Sequence, residues 1–156
     1  MECGPRSLGG RSILGAPRSE KMQKTLNLKV KYRESFRPFA PSILREDVSE
    51  WFERDVDSPY MTTVIKFKEE VRDKVPAVVH TDGSARLQTV TENDNKWYYN
   101  FIKKFKEKTG VPIVLNTSFN DREPIVETPD HARNCFLRTD IDYLYFREPK
   151  ILLKKI

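Results

Sequence analysis

The clearest hydrophobic period in the chain runs from Asn95 to Lys108. Trp97, Phe101, Ile102 and Phe105 recur at helical spacing, while Lys103, Lys104, Lys106 and Lys108 take the opposite face. With Gly110 placed for a left-handed cap, this pattern predicts a helix whose aromatic stripe belongs to the core. Ser19 is positioned to cap a helix over Glu20–Asn27, and Thr128-Pro129 to open one over Asp130–Leu137. A short helix is expected at Glu46–Phe52, with Val48, Trp51 and Phe52 on its apolar side. β-Branched and apolar runs predict strands at Tyr60–Phe67, Pro76–His80, Ala85–Val90 and Val111–Leu115. Asp142–Phe146 and Ile151–Leu153 read as closing strands. Glycine and proline punctuate Gly4–Gly15, as in a tight loop whose amides could face an anion, and Pro38 and Pro41 keep the stretch around them extended or turned. Strands and helices alternate irregularly, which predicts the α/β (α+β) class: a mixed sheet with flanking helices, in one domain over residues 1–156.

Composition narrows the class. The 156 residues are 38% hydrophobic, enough for one ordinary core. Mean hydropathy is −0.64, and no apolar run approaches the roughly 20 residues of a membrane-spanning helix. Arg6 and Arg11 are not followed by the apolar stretch of a secretory signal, and Cys3 and Cys135 lack zinc or disulfide spacing. A reducing cytoplasm is therefore the expected compartment. Charge is informative through its placement. Residues 1–45 hold 10 Lys+Arg against 3 Asp+Glu, whereas residues 46–156 hold 18 against 20. A cationic segment with Gly-Pro and Phe-Arg-Pro-Phe turns favours phosphates.

Three stretches focus that charge. They are Lys31-Tyr-Arg-Glu-Ser-Phe-Arg37-Pro-Phe-Ala-Pro-Ser42, His80-Thr-Asp-Gly-Ser-Ala-Arg86-Leu-Gln88 and Leu115-Asn-Thr-Ser118-Phe-Asn120. Arg86 follows a small-residue turn, where a guanidinium fork can match phosphate oxygens bidentately. Lys31 and Arg37 supply further positive charge, and Ser118 a hydroxyl donor. Together they predict one anion-binding site assembled from three loops. His80 could be a ligand or base, although a histidine at a strand end is more often hydrogen-bonded structure. His131 is expected to be exposed and Cys135 to pack as a small hydrophobe. No P-loop, nucleophile elbow or dinucleotide-binding glycine pattern occurs.

These motifs, with MECGPRSLGGRSILGAPR at the start, SPYM, EPIVETPDHA and the closing IDYLYF, closely resemble one family. It is the O-carbamoyltransferases of the nodulation-factor, cephem and aminoglycoside-antibiotic type, and specifically their C-terminal, YrdC-like domain. The resemblance implies a domain that takes carbamoyl phosphate and ATP, with Mg²⁺ arriving on the ATP, and forms a carbamoyl-adenylate. It implies a separate N-terminal domain, similar to actin-like ATPases and carrying iron or another metal, that moves the carbamoyl group to a hydroxyl. Carried over residue by residue, it assigns substrate contacts to Arg6, Lys31, Arg37, Arg86, Ser118 and Asn116, with Lys31, Arg37 and Arg86 as the catalytic cations. Arg33 and Thr81 fall at adjacent motif positions, on the nucleotide side.

Departures are modest: Cys3 replaces a phenylalanine, Ser7 an alanine, and a glycine before Glu123-Pro-Ile-Val is missing. The opening inside the Gly-Pro-Arg motif leads us to expect that the acceptor domain, and the first helix and strand of this one, lie outside the chain or on a partner. Two other readings compete: a basic RNA-binding module and an inactive remnant.

Overall fold

The computed structural model describes residues 7–155. Its five-stranded sheet has the order β1 (Ser12–Gly15), β5 (Ile113–Ser118), β2 (Ala40–Leu44), β4 (Ser84–Val90), β3 (Thr63–Lys66). Only β2 and β4 run parallel; the other neighbours are antiparallel, so the sheet is mixed. The helices are α1 (Glu20–Lys29), α2 (Val48–Trp51), α3 (Lys96–Thr109) and α4 (Pro129–Arg138). The predicted caps form, Ser19 accepting from Lys21 and Thr128 from His131 through backbone N–H groups, and Asn95, expected inside its helix, caps it by accepting from the Tyr98 N–H. This is the α+β, YrdC-like arrangement of sheet and flanking helices that the sequence predicts. No described helix is long and apolar enough to cross a membrane.

Both faces of the sheet are covered. Ile43, Leu87, Ile113, Leu115 and Ile65 share a core with Leu26 from α1 and Val30 just after it, Trp51 from α2, and Cys135 and Phe136 from α4. On the other face, Leu44, Val90 and Val114 pack under Tyr98 and Ile102 of α3. The α3 stripe divides: Ile102 is buried, whereas Trp97 and Phe101 stack on each other and Phe101 stays 40% exposed. Both line a groove, Trp97 also packing against the edge of this core.

Several local expectations are corrected. The stretch around Pro41 is the central strand β2. Pro41 stands opposite Leu115 on β5, and the pairing with β4 starts one residue later, at Ser42. Pro76–Val78 is a 3₁₀ turn, not a strand; the Ala77 N–H donates to Pro17 and its side chain is buried beside α1. Of the loop expected over Gly4–Gly15, Ser12–Gly15 is the strand β1, and Gly4–Arg6 lie outside the described residues. The strand predicted over Tyr60–Phe67 begins only at Thr63, because Met61 has a left-handed φ of 59°. The closing strands β6 (Tyr143–Phe146) and β7 (Ile151–Lys154) pair with each other in a separate hairpin.

Two glycines with left-handed φ separate backbone strain from overlap. A Cβ on Gly110 (φ 74°) would meet nothing within 4 Å, whereas one on Gly9 (φ 81°) would lie 2.5 Å from Cγ of Tyr98. Gly110→Ala should cost about 1 kcal/mol in urea unfolding, and Gly9→Ala about 2–4 kcal/mol. Equal losses would show that Tyr98 does not constrain Gly9.

Candidate functional site

The segment after α1 is wound around one side chain. Asn27 is fully buried near the end of that helix, and its Nδ2 donates to the carbonyls of Ser35 (3.1 Å) and Arg37 (2.8 Å). Its Oδ1 accepts from Nε of Arg33 at 2.7 Å, and its backbone carbonyl accepts from the Arg33 N–H at 2.9 Å. Gln23, one turn earlier, donates to the carbonyls of Phe36 and Arg37. Residues 31–37 thus hold a defined shape without regular secondary structure, including a φ of 48° at Tyr32.

Lys31 joins this loop to the end of β5. Its ammonium donates to the carbonyls of Ser118 (2.6 Å) and Asn120 (2.9 Å), to Asn120 Oδ1 (2.7 Å) and to Ser118 Oγ (3.3 Å). The Ser118 hydroxyl in turn donates to Asn120 Oδ1 at 2.7 Å. Burial, and then the neighbouring Arg33 charge, push the Lys31 pKa down from 10.5 to about 8.

Beside this cluster lies a cleft of about 240 Å³, whose walls include Arg33, Arg86, Asn116, Ser118, Phe39 and Met61. The Arg33 guanidinium lies 4.8 Å from the centroid of the Phe39 ring, with Nε tied to Asn27. Among the described residues no acceptor takes its Nη atoms. Arg86 enters from β4, exposed and opposite Val64 of β3. Two residues along the same face, buried Gln88 accepts from Ser42 Oγ (2.6 Å) and Asn116 Nδ2 (2.7 Å) and donates to the Pro59 carbonyl (2.9 Å). Asn116 Nδ2 also donates to the Ser7 carbonyl at 3.1 Å, and among the described residues its buried Oδ1 has no donor. No carboxylate lines the cleft among the described residues.

The structure therefore brings Arg33, Arg86, Asn116 and Ser118 to one cleft, with Lys31 fastened to its Ser118 wall. Arg37 is exposed and its guanidinium pairs loosely with Glu34 (3.9 Å), outside the cleft lining. Thr81 sits in the exposed turn before β4, also outside it. Arg6 lies outside the described residues. His80 is hydrogen-bonded structure: its N–H donates to the Ser84 carbonyl, and its Nδ1 lies 3.3 Å from Ser84 Oγ. Sequence reasoning missed Asn27, Gln88 and Asn120. The signals were slight: Asn120 and Gln88 each fall two residues after a chosen one, on the same strand face or its continuation. A larger groove of about 720 Å³ runs between β1, α3 and the β6–β7 hairpin, lined by Trp97, Phe101, Tyr143 and Tyr145. Its walls are mostly apolar, unlike those of the smaller cleft.

Comparison with known proteins places this geometry. The family profile described as Carbamoyltransferase C-terminus matches residues 1–154. Nodulation protein NolNO of Sinorhizobium fredii is 49% identical, over 92% of this chain and 22% of its own. Nodulation protein NolO of Bradyrhizobium diazoefficiens is 48% identical, over 92% and 27% respectively. Nodulation protein U of Rhizobium tropici is 44% identical, over 76% and 20%. The chain spans about a quarter of the length of the curated relatives it matches.

The Lys31 cluster gives a pH signature. Because the folded pKa is lowered, the unfolded chain binds the Lys31 proton more tightly, and stability rises with pH between about 8 and the ordinary 10.5. Lys31→Met should remove that component, read as the difference in urea midpoints between the two proteins below pH 8 and near pH 10.5. A constant difference would contradict a depressed lysine.

Proposed function

The chain belongs to the carbamoyltransferase C-terminus family, and from that premise we propose that its cleft binds carbamoyl phosphate and ATP and forms a carbamoyl-adenylate. The observation that carries the proposal is the pair of arginines lining a cleft that has no carboxylate among its described walls. A phosphate seated between two cationic side chains is attracted by both.

The chemistry can be balanced. Carbamoyl phosphate has no free carboxylate, so water first attacks its carbonyl carbon; the C–O bond to phosphate breaks, and hydrogen phosphate, carbamate and one proton to solvent result. A carbamate oxygen then attacks the α-phosphorus of ATP, forming the P–O bond of the adenylate while the bond to pyrophosphate breaks. Both reactants are anions, so the protein's task is to offset repulsion and to neutralise the charge gathering on pyrophosphate. Arg33 and Arg86 do this through charge-assisted hydrogen bonds of about 1.5–3 kcal/mol each. Ser118 and Asn116 line the same walls, and Lys31 adds charge behind Ser118. Arg6, Arg37 and Thr81 enter the proposal through family motifs alone. Mg²⁺ enters as a substrate ion on the ATP phosphates.

On this reading the carbamoyl group passes to a hydroxyl acceptor on another domain or partner chain, similar to actin-like ATPases and holding its own metal. The RNA-binding reading is disfavoured by the position of Arg33, whose guanidinium lines a cleft instead of an open face.

Exchange of radiolabelled pyrophosphate into ATP, dependent on carbamoyl phosphate, tests the proposal. Arg33→Ala and Arg86→Ala should each lower exchange about 100-fold, and Arg37→Ala less than about tenfold, with the fold retained in all three. Exchange indifferent to Arg33 and Arg86 would refute the assignment.

A further inference from the structure

We infer that Asn27, which does not itself line the cleft, is a positioning residue that sets the Arg33 guanidinium for anion binding. The inference rests on the anion-binding part of the reading above. An arginine side chain has four flexible torsions, and freezing them on binding weakens affinity unless the protein has already fixed them. Arg33 is fixed at two points. Asn27 Oδ1 holds Nε at 2.7 Å, and the Phe39 ring lies against the guanidinium face, 4.8 Å from centroid to Cζ. With Nε engaged and one face covered, the Nη atoms are the donors left to a ligand.

The side chain at position 27 must do two opposite jobs. It accepts from Arg33 and donates to the carbonyls of Ser35 and Arg37, closing the loop that carries Arg33 back toward β2. Asparagine alone among residues of this size offers an acceptor and two donors without charge. Aspartate would keep the acceptor, lose both donors and set a carboxylate against the guanidinium that is meant for the ligand. Leucine would keep the volume and lose everything else.

The test is a double-mutant cycle on the full chain, with inorganic pyrophosphate as the probe and calorimetric titration as the readout. Asn27→Leu should weaken pyrophosphate binding about tenfold, the scale of one charge-assisted hydrogen bond. In an Arg33→Ala background it should weaken binding no further, whereas in an Arg86→Ala background the tenfold loss should persist. A general loosening of the fold would weaken binding equally in both backgrounds, and that result would overturn the inference. Unchanged binding by Asn27→Leu in the otherwise wild-type chain would overturn it too. Should Asn27→Leu fail to fold, Asn27→Asp takes its place in the same cycle, with the same coupling to Arg33 expected. Coupling measured with pyrophosphate supports the positioning role whatever the carbamoyl-phosphate-dependent exchange shows, so failure of the catalytic reading and failure of this one are distinguishable.

Discussion

An ammonium group taken out of water must find acceptors or lose its proton, and Lys31 meets that demand with four oxygens from two residues of another element. Those oxygens belong to the last residue of β5 and the turn just after it. The contact therefore fixes the loop after α1 against the C-terminal end of β5, across 87 positions of sequence. It places Ser118 in the cleft wall, and it sets Lys31 next to Arg33, whose charge contributes to the lowered pKa. Asn27 shapes the same loop from within.

The sheet face that carries the cleft changes character along its strands. Toward one end Leu44, Val90 and Val114 pack under α3; two residues away on β2, β4 and β5 stand Ser42, Gln88 and Asn116. Burying three polar side chains is tolerable because each donates to or accepts from another. Tyr98 marks the boundary: its phenol is buried beside Ser42 without hydrogen-bond geometry, and burial pushes its pKa up. The remaining acceptor, Asn116 Oδ1, stands at the floor of the polar end. A carbamoyl group has the N–H donors that such an atom lacks.

Much of the architecture was legible in the sequence where local chemistry decides it. Ser19 and Thr128 cap because a side-chain oxygen can reach backbone N–H groups only two or three residues away. β2 was hidden because its proline signal is ambiguous until the register with β4 is known. The 3₁₀ turn at Pro76–Val78 was hidden because a short apolar run does not reveal what will cover it. The site divides the same way. Arg86 and Ser118 were chosen for their residue types and motif positions. Lys31 was chosen as a phosphate ligand, yet its ammonium is engaged by Ser118 and Asn120. Asn27 was passed over because nothing about an asparagine near the end of a helix reveals that a loop ten residues long will close around it.

The most direct measurement of the central claim is a crystal structure of the chain grown with AMP and pyrophosphate. The account predicts phosphorus density in the cleft within hydrogen-bond reach of the Arg33 Nη atoms and of the Arg86 guanidinium, with Lys31 still bound to Ser118 and Asn120. Phosphate groups seated elsewhere, for example along the apolar groove beside Trp97 and Tyr145, with both arginines untouched, would contradict it.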